Sequence, residues 1–235
     1  LNEYTWNGGL SITHTLAADG ALRVPGSTTV KNGTFSGATT LSISASGGSL
    51  KIENVAFENN SGRSILSITG GKAELSNCTF SGNTATSDAI VRISMPADTP
   101  SSITGCDFIN NTAVNGTLHV TGTNSGSTTT TISGCTFTGN IGKNGGAIYV
   151  GATVEINNCN FTGNTAQYFG GAIMVSGSAA NTNYEASITN STITNNKATK
   201  SQTELTGSGG GIFVQAKGHV TIDDSTVIHS NTAEY

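Results

Sequence analysis

Proline is nearly absent, with 3 in 235 residues, tryptophan occurs once, methionine twice, and charged residues make up only 10 % of the chain. Each scarcity excludes something. Ten Lys and Arg against fourteen Asp and Glu form no basic stripe, which removes nucleic acid and anionic membrane surfaces as partners. Good helix formers such as Leu, Lys, Glu and Arg are few, so helices are disfavoured. No apolar run approaches the roughly 18 residues that a membrane-spanning helix needs, so no direct membrane insertion is expected. The 31 glycines lack the every-third-residue period of collagen. A hydrophobic share of 35 % with a formal charge of −4 is unlike a disordered chain. No basic segment, apolar stretch and small-residue cleavage site follow one another from Leu1, so any targeting signal is expected to have been removed or to lie outside the sequence.

What is abundant is Thr, Ser, Asn and Gly, and they recur in phrase. An eleven-residue unit reads IENVAFENNSG from Ile52, LSNCTFSGNTA from Leu75, ITGCDFINNTA from Ile103, ISGCTFTGNIG from Ile132, INNCNFTGNTA from Ile156 and ITNSTITNNKA from Ile188. An aliphatic residue opens each copy, a small or sulfur-bearing residue stands fourth, Phe or Ile sixth and Asn ninth. A degenerate copy carries Val30, Gly33, Phe35 and Ala38 in these slots, and a late copy starts at Ile222 and reaches Asn231 with one residue inserted. With Val227 in the sixth slot of that copy, the sixth positions lie 22 to 34 residues apart.

Between Phe137 and Phe161 the apolar residues alternate in three short bursts, Ile148 with Val150, Val154 with Ile156, and Cys159 with Phe161. Gly145–Gly146, Gly151–Ala152 and Asn157–Asn158 mark the bends between them. One such coil cannot bury its inward face or pair its backbone edges. Stacking equivalent coils at about 4.8 Å does both. The predicted architecture is an all-β, single-stranded parallel β-helix of about eight coils with three strands per coil, taken as right-handed from the usual chirality of parallel crossovers. Residues 1–235 are read as one β-helix domain, a segment of a longer surface protein.

Stacking in phase predicts three internal columns. Phe35, Phe57, Phe80, Phe108, Phe137 and Phe161, continued by Ile193 and Val227, form an aromatic core column. Asn60, Asn83, Asn111, Asn140, Asn164 and Asn196 form an asparagine ladder at a bend, where each amide can bond its neighbours and the turn backbone. Cys78, Cys106, Cys135 and Cys159 share one slot with Gly33, Val55, Ser191 and Ser225, which asks for small volume and predicts free, buried thiols; a disulfide between neighbouring coils is the competing reading. Asn-x-Ser/Thr triplets are frequent, as this composition produces by chance.

FxxN stands at Phe57–Asn60, Phe80–Asn83, Phe108–Asn111, Phe137–Asn140 and Phe161–Asn164, with GGAI at Gly145–Ile148 and Gly170–Ile173 and GGGI at Gly209–Ile212. In these motifs the chain resembles the repeats of chlamydial polymorphic outer-membrane proteins and related adhesin-like surface proteins. The resemblance implies a pectin-lyase-like solenoid exported as a passenger, attachment to host cells and an extracellular, cell-surface location. Several coils depart from the pattern, reading Ser87–Ile90 or Asn115–Leu118 where GGA would stand.

Function on a rigid rod belongs to outward faces and insertions. Excess residues fall at 94–101, 121–130 and 176–186 on one edge, and at 197–208 beside the asparagine corner. Met95, Asp98, Asn124, Asn183 and Tyr184 are the candidate contacts for a surface protein or glycan, and open coil ends offer self-association. No cofactor or metal is implied. Polysaccharide lyases and hydrolases share this fold, but carboxylates beside the Ile column are sparse, Asp223–Asp224 reads as a turn, and His14, His119, His219 and His229 are scattered as surface or internally satisfied residues. The expectation is a binding protein and not an enzyme. A third reading, an ice-binding or self-assembling face, rests on Thr and Ser flanking the Phe column and is interrupted by Glu58, Asp107 and Ile109.

Overall fold

The computed structural model describes residues 4–5, 10–11, 15–16, 20–25, 27–95, 99–122, 129–177, 184–200 and 207–234. It contains strands, bends and turns, and all strand pairs are parallel. One sheet of nine strands runs the length of the stack, from Tyr4–Thr5 to Ile212–Val214. It is called the first sheet below. The second and third strands of the coils merge into one sixteen-stranded sheet. They merge because Thr28–Ser36 and Ser49–Glu58 run through the bend unbroken, whereas later coils break there. That bend is a stack of left-handed residues, Asn54, Asn77, Gly105, Gly134, Asn158 and Asn190, a conformation Asn and Gly adopt at little cost.

Two expectations are corrected by the pairing. Among the described residues there are nine coils, because Tyr4–Thr5, Leu10–Ser11 and Thr15–Leu16 add a first coil whose sequence no longer follows the phrase. A fourth short strand also follows the asparagine bend in several coils, at Ile141–Asn144, Thr165–Phe169, Lys197–Ala198 and Thr232–Ala233. The ladder fixes the height of the chain at this point, so the residues just after it meet their equivalents in register.

The core sits where the columns were expected. Phe35 to Phe161 stack with centroid separations of 4.7 to 5.2 Å and interplanar angles of 2° to 6°. Five of these six rings are fully buried. In-register parallel strands impose this near-parallel overlap, since each ring leaves its backbone in the same direction one coil higher. Ile193 continues the column. Its successor is Ile228, not Val227, because Ile193 pairs with Ile228 and Thr192 with Val227. The residue inserted in the late copy is taken up in the turn at Asp223–Thr226, where Thr226 Oγ1 donates to Asp223 Oδ1 at 2.6 Å.

The asparagine ladder runs from Asn60 through Asn196 and gains Asn231. Asn111 shows the pattern: its Nδ2 donates to Phe80 O at 2.8 Å and Asn140 Oδ1 at 3.0 Å, while its Oδ1 accepts from both the backbone N and Nδ2 of Asn83. Ala38 N donates to Asn60 Oδ1 at one end, and Asn231 Nδ2 to Ile193 O at the other. Among the described residues no buried side-chain nitrogen or oxygen lacks a partner, as a buried polar column requires.

The four cysteines are free and buried. Each sulfur accepts from the backbone of the coil below, Cys78 N to Cys106 Sγ and Cys106 N to Cys135 Sγ, and the slot passes to Ser191 and then to Thr226 rather than Ser225. Hydrogen bonding with the neighbouring sulfurs and burial push the Cys135 thiol up from its ordinary range, away from the reactive thiolate.

Candidate functional site

In the corner that leads back to the first sheet, glycine pairs let stacked backbones touch. Gly145 and Gly170 are left-handed, and Gly146 N and Gly171 N donate to Gly170 O and Gly209 O. A Cβ on Gly146 would run into Gly171 O and the backbone of Thr165. The coil before keeps the left-handed glycine as Gly116 and puts Thr117 in the second place, and Asn115, in register with Asn144, precedes it. Asn115 meets Asp88 of the preceding coil at the entry to the first sheet.

Strand alternation sends every second residue of the first sheet outward. In-register pairing lines these up as Ser44, Ser67, Arg92, His119, Tyr149, Met174 and Phe213. Asp88 lies beside the middle of this column and is gripped from three sides. Arg92 Nε donates to Asp88 Oδ2 at 2.9 Å, His119 Nδ1 lies 2.8 Å from Asp88 Oδ1, and Asn115 Nδ2 donates to that same oxygen at 3.2 Å. Burial alone would raise the Asp88 carboxyl. The bonds from His119 and Asn115 and the charge of Arg92 outweigh it and hold the carboxyl below the usual aspartate range. His119 is also clamped edge-on by Tyr149, with ring centroids 4.7 Å apart.

Next to the cluster an open groove of about 410 Å³ is lined by Arg63, Asp88, Arg92 and the serines 42, 44, 64, 67 and 87. On the far side of His119 the column turns apolar. Tyr149, Phe169 and Phe213 are half-buried there, and Phe169 stacks on Phe213 at 4.6 Å. One outer face therefore carries a charged, hydroxyl-lined half and an aromatic half.

The predicted contact residues fare differently. Asp98, Asn124 and Asn183 lie outside the described residues. Met95 is not on an exposed edge: it ends strand Val91–Met95 on the inward side, is 3 % exposed, and its sulfur accepts from Thr130 Oγ1 at 3.2 Å. Alternation places 91, 93 and 95 inward together, so the strand runs two residues past the expected start of the insertion at 94. Tyr184 opens strand Tyr184–Thr189 and packs half-buried against the core. The roots of the insertions are thus internal, as Ser101 and Thr130 also show. Sequence reasoning missed Asp88, Arg92, Asn115 and Arg63. The available signal was that Val91, Leu118 and Ile148 share a phase, which aligns Arg92 with His119 one residue later. Nothing in the phrase ties Asp88 to them. Among the described residues no group of three or more His, Cys, Asp or Glu is placed to hold a metal ion.

The coil geometry agrees with the comparisons. A family model described as the right-handed β-helix region matches residues 21–188. The chain belongs to the right-handed β-helix family. A second model, the Chlamydia polymorphic membrane protein repeat, matches residues 190–215 of this β-helix, the stretch that contains Ile193, Asn196 and Gly209–Ile212. Comparison with curated proteins and with solved structures returned no match.

Proposed function

We propose that this β-helix is the passenger or stalk portion of a surface protein displayed outside the cell, and that it works by binding a surface protein or glycan and not by catalysis. The observation that supports this most is the division of labour in the coils. Recurring residues of like kind fill the inside, and the departures collect on the outer face of the first sheet and on the insertions between first and second strands. A match to a repeat named for membrane proteins supports the surface assignment.

Beads coated with the purified chain test the reading. They should adhere to cells, and chains lacking residues 123–128 and 178–183 together should adhere less. Adhesion no better than that of uncoated beads would overturn the binding function, and adhesion unaffected by the deletion would remove the edge loops from it. Incubation with polyuronides and Ca²⁺ should release no unsaturated product; release would replace this reading with a lyase.

A further inference from the structure

The groove beside Asp88 has the makings of an anion site. Arg92 Nε donates to Asp88 Oδ2 at 2.9 Å, an ion pair that aims the guanidinium along the groove wall. Asp88 is itself satisfied by His119 and Asn115, which spreads its charge over three donors. Arg63 also lines the groove, is exposed, and has no ion-pair or hydrogen-bond partner for its side chain among the described residues. The rest of the lining is serine, whose hydroxyls can each donate and accept.

We infer that this groove binds an acidic saccharide, with a carboxylate or sulfate taken by Arg63 and Arg92 and the ring hydroxyls taken by Ser44 and Ser67. A planar, pre-aimed guanidinium favours oxyanions that accept two parallel hydrogen bonds. Short hydroxyl side chains favour a polyhydroxylated partner over an apolar one, and the groove is open along the Ser44 and Ser67 side of the column. The protein carries a net charge of −4, so attraction of an acidic sugar must be local to this groove. The inference rests on the binding reading above and names the ligand class for it.

Isothermal titration of the full chain with a sialylated trisaccharide, a heparin-derived tetrasaccharide and neutral lactose separates the sources. Binding of either acidic probe but not lactose is expected, weakened about tenfold or more by Arg63→Gln and by Arg92→Lys, the second because Lys keeps the charge and loses the fork. The carboxylated and sulfated arms tell which anion is preferred. Arg63 is exposed, so R63Q should leave the melting curve unchanged and keeps the test valid should the Arg92 variant unfold. No binding of either acidic probe, equal binding of lactose, or indifference to R63Q overturns the inference. Bead adhesion that persists in such a case would show that the surface-binding function stands with a different ligand.

Discussion

The asparagine corner and the outer face of the first sheet are built by the same stacking rule and use it in opposite ways. At the corner seven successive coils repeat one residue, and from Asn60 to Asn231 each amide bonds the asparagine of the next coil. On the sheet face the column runs through Ser, Arg, His, Tyr, Met and Phe, and bonds are made between unlike residues that meet only because neighbouring coils are in register. Repetition marks what holds the rod together. Its loss marks where unlike side chains are brought together.

The comparison breaks most visibly if the interior is cut. Phe108→Ala should cost about 3–5 kcal/mol, because the ring is fully buried between Phe80 and Phe137 and the stacked strands cannot collapse around the hole. Denaturant unfolding measures it. A loss below about 1 kcal/mol would mean that the column is loosely packed.

Asn111→Ala comes next, at roughly 2–4 kcal/mol, since it strands Phe80 O and the Asn83 amide donors in a buried bend. Asn111→Asp should not rescue it. Aspartate restores the acceptor for Asn83 but cannot donate to Phe80 O, and it brings a buried charge. Equal stability of the Asp variant and the parent would show that the donor half of the amide is dispensable.

The smallest effect is expected on the sheet face, and it depends on pH. Asp88→Asn should cost about 1 kcal/mol near neutrality, as the cluster is partly exposed and screened. The Asp88 carboxyl is held below its ordinary value in the fold, so its contribution is present above the unfolded aspartate pKa of about 4 and is lost as the pH falls through the lower folded value. The difference in melting temperature between parent and variant should therefore shrink below about pH 4. A difference that stays constant from neutral to acid would mean that the carboxylate is not held by His119, Asn115 and Arg92.

The interior was legible in the sequence because a stacked fold writes its core as a repeat. Phe, Asn and Cys recur at one phase, and phase alone predicts which residues meet. Legibility failed where phase was locally lost. The residue inserted before Val227 moved the core slot to Ile228, and the first coil, which has left the phrase, was counted only from its pairing. Met95 was misplaced for a related reason: the length of an insertion is visible in a sequence, but the residue at which the strand ends is set by which side chain still faces inward.

The order of the residues determined by itself that this chain coils, which side chains fill the coil and which bend carries the asparagines, because a repeat can bury its apolar face only against copies of itself. The tertiary structure alone decided that Asp88, Arg92, Asn115 and His119 form one cluster beside a serine-lined groove. These residues come from two successive coils and do not recur, so no periodicity announces them. Their meeting depends on the exact register between coils of unequal length, and register is a property of the stacked backbone.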